Sequence, residues 1–343
     1  MKTERQKIKR KATITDVARY AGVSVSTVSV VVNNSEKFVE PRLRERILKA
    51  VKELNYYPNS IARSLKYQKT KTIGLVLTNI TSPVTPIMVR TIQKITSTEG
   101  IDILIVSTEE NKQTEKKAVD NFISRMIDGL IICPVASQDY SHLQNAKENC
   151  GIPVISIERK LPEEVNIPCV ISNNEEISYQ AMQHLIGHGR KRIALLTMPV
   201  YGSNTRERIV GCIRALSEAG LYHPALVCEA DYLGLNAYEL TQELIKKWKI
   251  DAIFAISQSL ALGAYKAIMD CGLSIPEDVA MIAYDSVDWM NVVPCPITCV
   301  KQPMEEIATI SANMLLHEQF NKDAGFQHIV VPSQIVIQHS CGC

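Results

Sequence analysis

The residues in this sequence that could do chemistry include ten cysteines and seven histidines. The tightest cysteine spacings are CPITC, with Cys295 and Cys299, and CGC, with Cys341 and Cys343. A structural zinc takes four ligands, usually in two closely spaced halves. Neither pair has a second half at such spacing, so no metal site is expected. All ten cysteines lie between Cys133 and Cys343, on apolar stretches such as GLIIC and ALVCE. They read as buried, reduced thiols. The histidines are dispersed, and there is no Gly-rich phosphate loop and no Ser-His-Asp grouping at a recognisable elbow. Neither enzyme catalysis nor a cofactor is expected. What remains is polar recognition: Thr78, Asn79, Ser107, Thr197, Ser257, Tyr284 and Asp285 each close a short apolar run.

Those runs are the elements that must position them. TIGLVLT (72–78), IDILIVS, GLIIC, IPVISIE and CVIS alternate with helical patterns, and the alternation restarts through RIALLT, ALVCE, DAIFAIS and DVAMIAY. Strand and helix alternating twice over predicts two doubly wound α/β lobes with parallel sheets. ITCVKQ, a helix from Met304 to about Phe320 and the final QIVIQ then return the chain between lobes. Such sheets bind ligands at the carboxyl ends of their strands, and a cleft between lobes would gather the polar residues named above.

The N-terminal region differs in charge. Residues 1–72 hold 17 Lys or Arg against 6 Asp or Glu, a balance of +11, whereas the remainder holds 21 against 30, a balance of −9. A basic block on an acidic body is the footprint of nucleic-acid binding, because each phosphate neutralised releases counterions. MKTERQKIKRKA alone could be a solvated basic tail, but the rest of the block is patterned. ITDVARYAG has helical spacing, with Thr13 or Thr15 as cap and Gly22 as stop. AGVSVSTVSVVVNN alternates like a strand, and β-branched residues lean the same way. Its flanks favour a helix that starts at Ser24 and turns Val28, Val31 and Val32 inward. EPRLRERILKAVKELNYYPN places Leu43, Ile47, Leu48, Val51 and Leu54 on one stripe behind Pro41. Three short helices with a tight Gly-containing turn describe a helix-turn-helix module.

The expected organisation is a helix-turn-helix domain over 1–57, folded from 12, a connecting segment over 58–71, and a bilobed body over 72–343. No apolar run approaches the roughly 18 residues of a membrane span, and no hydrophobic signal region opens the sequence, so a cytoplasmic protein without membrane contact is expected.

At this point the residues resemble a family. TITDVARYAGVSVSTVSVVVNN, VEPRLRERILKAVKELNYYPNSIARSL and KTIGLVLTNI are similar to the LacI/GalR family of bacterial transcription regulators. RERIVGCIRAL, SLALGAYKAI, SIPEDVAMIAYDS and VPSQIVIQHS extend the likeness along the body. The resemblance implies a homodimer, in some members a tetramer, whose heads read a palindromic double-stranded operator. It implies a body like a periplasmic sugar-binding protein that senses a small-molecule effector. SVSTVSVVV then matches the recognition helix, with Val25, Ser26 and Val30 facing base edges. Thr27, Ser29 and Asn33 match positions that support or contact the backbone, and the caps Thr13 and Ser24 join the DNA-binding set. Residues 58–71 match the hinge helix: Asn59, Ala62 in the dimer contact, and Leu65 as the wedge in a minor-groove step.

In the cleft, Arg208 matches an arginine that holds ligand hydroxyls or an acid group, and Asp285 the aspartate opposite it. Ser257, Gln258, Val84 and Thr85 occupy the remaining effector positions. The sequence also departs from the family pattern. Val30 stands where an arginine or another polar residue is common. Ser257 and Gln258 replace Asn-Asp, Val84 and Thr85 replace aromatics, and the usual Asp-Asn pair is Asn173 and Asn174. A sugar-like effector without an aromatic platform is expected. The alternative is a DNA-binding regulator whose body answers to a partner protein, or to nothing.

Overall fold

The computed structural model describes residues 11–33, 37–57, 69–231, 233–316 and 328–343. The chain divides into two compact units, Met1–Thr70 and Lys71–Cys343. The hinge positions Asn59, Ala62 and Leu65 lie outside the described residues.

The first unit holds three helices, α1 (Ile14–Ala21), α2 (Val25–Val32) and α3 (Pro41–Glu53). Val17, Ala18, Ala21, Val28, Val31, Ile47, Ala50 and Tyr56 make its core. The strand-like sequence is therefore helical: tertiary packing of Val28 and Val31 overrides a weak local preference. One expected core position is corrected. Leu48 is 48% exposed, and Ala50, three residues beyond Ile47, is buried in the core.

The second unit runs β1 (Thr72–Leu77), α4 (Thr85–Thr98), β2 (Asp102–Ser107), α5 (Lys112–Ser124), β3 (Gly129–Ile132), α6 (Ser141–Gln144), β4 (Val154–Ile157) and β5 (Cys169–Ser172). It crosses to a second sheet with α7 (Asn174–Gly187), β6 (Ile193–Thr197), α8 (Ser203–Glu218), β7 (Val227–Glu229), α9 (Ala237–Glu243), β8 (Ala252–Ala255), α10 (Gln258–Asp270), β9 (Ala280–Tyr284), α11 (Trp289–Val292) and β10 (Thr298–Lys301). It then returns through α12 (Met304–Leu316) and β11 (His328–Val331) and crosses again to β12 (Gln334–Val336).

The strand orders are β11-β5-β4-β3-β1-β2 and β12-β10-β9-β8-β6-β7. Pairing is parallel throughout except that β12 lies antiparallel to β10, a departure from the wholly parallel expectation. β11 went unread in the sequence.

These strands are continuous apolar runs because both faces are covered. In lobe 1, Ile73, Leu75 and Leu77 pack against Met88 and Ile92 of α4 and Ile307 and Ala312 of α12. The alternate residue Val76 faces Val119 and Phe122 of α5. Lobe 2 closes on one larger cluster around Phe254, Ile282 and Tyr284. In each sheet the strand order reverses beside β1 or β6, so the loops there open a crevice at the carboxyl ends of the strands. Among the described residues no helix is long and apolar enough to cross a membrane.

Candidate functional site

In the head, capping residues fix where α1 and α2 start and stop. Thr13 and Asp16 form a capping box, the threonine hydroxyl accepting from the Asp16 amide and the carboxylate accepting from the Thr13 amide at 2.9 Å. Gly22, at φ 63°, ends α1 by donating to Ala18 and Arg19 carbonyls. Two residues on, Ser24 Oγ accepts from the Thr27 amide at 3.1 Å and contacts the Ser26 and Thr27 hydroxyls at 2.7 Å. Asn33 closes α2 by donating from Nδ2 to the Ser29 carbonyl at 2.9 Å. Caps of this kind contribute about 1 kcal/mol each, enough to bias an eight-residue segment whose valines already have a core to fill. Tyr20 donates to Glu53 and ties α1 to α3.

The outward face of α2 is small and uncharged. Val25 is 41% exposed, Ser26 is exposed, and Ser29 and Val30 are half-buried. Neither Val25 nor Val30 belongs to the set packed on the head core. Cations stand on the neighbouring helices, with Arg19, Arg42, Arg46 and Lys49 exposed. Such a surface can offer hydroxyls and methyl-sized groups to base edges and cations to phosphates.

The second site is a cleft of about 250 Å³ in the body. It is lined from the ends of both sheets, among others by Thr78 and Asn79 after β1, Arg208 on α8, and Asp285 after β9. All six expected effector positions, Val84, Thr85, Arg208, Ser257, Gln258 and Asp285, line it. Of the other strand-end residues, Ser107, Thr197 and Tyr284 do not: Ser107 accepts from the Ile80 amide and donates to Glu109, buried Thr197 donates to the Cys228 carbonyl, and buried Tyr284 lies behind Arg208. No described lining residue is aromatic.

Arg208 is 8% exposed, and each of its three guanidinium nitrogens donates one of the group's five N–H bonds. Nε donates to Asn174 Oδ1 at 2.9 Å, Nη1 to the Ile256 carbonyl at 3.1 Å, and Nη2 to Gln302 Oε1 at 3.0 Å. Its Cζ lies 3.6 Å from the centre of the Tyr284 ring, a cation–π contact. Tyr284 donates to Asn174 Oδ1 at 3.0 Å, and burial pushes its phenol up to about 12. Gln302 then donates from Nε2 to Asp285 Oδ1 at 2.5 Å. One amide thus links the cleft's arginine to its aspartate. Asp285 itself sits at φ 69°, a left-handed backbone in a non-glycine residue, which costs energy and recurs at ligand sites.

An ion pair faces the same cleft. Arg159 makes a two-pronged bridge to Glu110 at 2.9 and 2.5 Å and also donates to the Pro134 and Tyr201 carbonyls. Tyr201 follows β6, so Arg159 spans the two lobes. Glu158, beside it, is raised above the usual carboxylate range by burial, against the pull of the Arg159 charge. Sequence reasoning passed over Glu110, Glu158, Arg159 and Gln302, and treated Asn174 only as a departure. Their one signal was position just beyond an apolar strand, shared by many residues that do nothing.

Folding adds neighbours that the local cysteine spacing did not show. The CGC segment does have neighbours of metal-ligating type: His184 and His188, more than 150 residues earlier, lie beside Cys341 and Cys343. Local spacing could not reveal a partner brought in by folding.

Comparison with known proteins gives a consistent picture. Residues 13–59 match the family described as bacterial regulatory proteins, lacI family. Residues 70–325 match that of periplasmic binding proteins and the sugar-binding domain of the LacI family. The ribose operon repressor of Halalkalibacterium halodurans is 30% identical over 331 residues, covering 96% of both chains. The HTH-type transcriptional repressor PurR of Aliivibrio salmonicida is 31% identical, over 89% of this chain and 91% of its own. Among solved structures, the lac repressor dimer bound to operator and the anti-inducer ONPF superposes with a TM-score of 0.84 at 25% identity, over 97% of this chain and 99% of that one. A complex of the transcriptional regulator CelR with cellobiose gives 0.71 at 26%, over 96% and 99%.

Proposed function

The chain belongs to the LacI family of bacterial regulatory proteins, and on that premise we propose that it is a cytoplasmic repressor, not an enzyme. It binds a palindromic operator as a homodimer through the head and releases or tightens it in response to a small polar metabolite in the cleft. Val25, Ser26 and Val30 face base edges, Thr27, Ser29 and Asn33 hold α2 against the backbone, and Asn59, Ala62 and Leu65 serve the hinge. Thr13 and Ser24 cap the two helices that meet the duplex. With no charged residue on α2, base reading rests on hydroxyls and on thymine methyl contacts, and phosphate contacts supply most of the affinity.

The observation that carries the effector reading is the Arg208–Gln302–Asp285 chain in a cleft between lobes. Charged groups this buried are costly unless each has a partner. The Gln302 amide fills that role, and a ligand bearing both acceptor and donor groups can replace it. A polyol or sugar derivative fits this chemistry, with Val84, Thr85, Ser257 and Gln258 lining its other sides. Closure around it couples effector and operator affinity by a typical 1–3 kcal/mol, or about 5- to 150-fold.

The test is an operator titration by fluorescence anisotropy with and without cell metabolite extract. Extract shifts the wild-type affinity by that factor, while Arg208→Ala and Asp285→Ala bind operator normally and do not respond. Equal responses in wild type and both variants would overturn the cleft assignment. An extract without effect on wild type would hand the body to a partner protein.

A further inference from the structure

The side chains left over by the operator and effector sites include one cluster with its own chemistry. His184 and His188 stand at i and i+4 at the end of α7, and so on one side of the helix. Cys341 and Cys343 reach them from the segment after β12. Cys343 Sγ lies 3.1 Å from His188 Nε2 and 3.4 Å from His184 Nε2, and one ligand atom from each of the four residues falls within 4.8 Å of all the others. The two imidazole rings meet edge to face, their centres 4.7 Å apart.

The cysteine arm is held firmly. The Ser340 hydroxyl donates to the Met281 carbonyl at 2.6 Å and accepts from the Thr298 amide at 2.8 Å, and its own carbonyl accepts from the Met281 amide at 2.7 Å. Thr298 Oγ1 donates to Cys341 Sγ at 3.1 Å. Gly342 takes φ 103°, a backbone state that suits glycine and lets Cys341 and Cys343 turn to the same neighbourhood.

We propose that His184, His188, Cys341 and Cys343 form a tetrahedral Cys2His2 site for a soft divalent metal, zinc first. Zn–S bonds of about 2.3 Å and Zn–N bonds of about 2.0–2.1 Å put neighbouring ligands of a tetrahedron roughly 3.3–3.8 Å apart. The two sulfur–nitrogen distances are already near that range, and the widest pair has about an ångström to contract. Two thiolates and two neutral imidazoles select zinc, with cobalt as its spectroscopic stand-in. Binding exchanges two thiol protons, released to solvent, for one dication and leaves the centre neutral. The metal would staple the end of α7, whose first residue Asn174 touches Arg208, to the β12 side of lobe 2.

The experiment titrates Co(II) into the metal-free, reduced full-length protein. One equivalent per chain is expected to give thiolate-to-cobalt charge transfer and tetrahedral d–d bands, both erased by one equivalent of Zn(II). His188→Gln and Cys343→Ser, both at exposed positions, each lose the charge-transfer intensity or fall to a weaker, three-ligand spectrum. Cys150→Ser and Cys228→Ser keep the full signal. A wild-type measurement independent of folding in the variants maps alkylation of the thiols with and without Zn(II): the exposed Cys343 becomes protected, and the exposed Cys150 does not. Absence of the cobalt bands, an undiminished spectrum in both variants, or no protection at Cys343 would each overturn the site.

Discussion

Val28→Ala and Val30→Ala place the same substitution two residues apart on α2, and the two should have opposite consequences. Val28 is 0% exposed and packs in the head core, whereas Val30 is half-buried and outside it. Removing two buried methyl groups forfeits about 1.6 kcal/mol of transfer free energy, plus a cavity term. Alanine returns up to ~0.7 kcal/mol in helix propensity. Val28→Ala should therefore cost the head roughly 1–2 kcal/mol. Val30→Ala gives up about half the transfer term, nearly cancelled by propensity, and should be close to neutral. Hydrogen exchange of the α2 amides in the full-length protein reads this directly: protection falls by on the order of tenfold in Val28→Ala and stays within about twofold in Val30→Ala, at 1.4 kcal/mol per decade. Operator selection should then reverse the ranking, with Val30→Ala altering the preferred sequence. If Val30→Ala lowers protection as much as Val28→Ala, its side chain supports the core, and the assignment of that position to base reading fails.

Tyr284→Phe keeps the ring against Arg208 but removes the hydroxyl bonded to Asn174, costing the body about 1 kcal/mol at neutral pH by chemical denaturation. The tyrosine's raised folded pKa contributes stability that is full below its ordinary value near 10 and lost as pH rises towards about 12. The variant's stability should consequently fall less steeply across that window, and an identical alkaline slope would refute the argument. Gly202→Ala would bring a methyl to 2.5 Å from Arg159 Nε, and the Glu110 bridge prevents the arginine from swinging away. It should destabilise the body by roughly 1–3 kcal/mol, as overpacking does. In an Arg159→Ala background the same change should cost almost nothing, and additive melting shifts would show that no contact is shared.

The strand–helix alternation of the body was legible in sequence because parallel strands covered on both faces need unbroken apolar runs. TIGLVL and AIFA are such runs, read as strands because helical patterns alternate with them. The edge strands were harder to see. β11 and β12 are short and only partly buried, so HIVV carried no pattern, and nothing local told that QIV would run antiparallel. α2 was legible only through its flanks, since its own valines alternate like a strand and the helix is imposed by Ser24, Asn33 and the packing of Val28. In the cleft, Arg208 and Asp285 were found by resemblance, while the Gln302 amide between them and the Arg159–Glu110 bridge were not. Those contacts join residues 17 to 94 positions apart, and no periodicity encodes them. The histidine–cysteine cluster was hidden for the same reason, across more than 150 residues.

The crossings between lobes have a consequence for synthesis on the ribosome. Lobe 1 has its first five strands by residue 172, yet its outer strand β11 and the helix α12 that covers one face come from residues 304–331. Lobe 2 likewise waits for β12 to cover β10. A nascent chain therefore carries two incomplete sheets, with β5 and later β10 as open edges, for as long as translation of the intervening residues takes. Open edges invite pairing with other chains. Neither lobe can complete its sheet until residues 328–336 have been made, so both close late and close together in the order of synthesis.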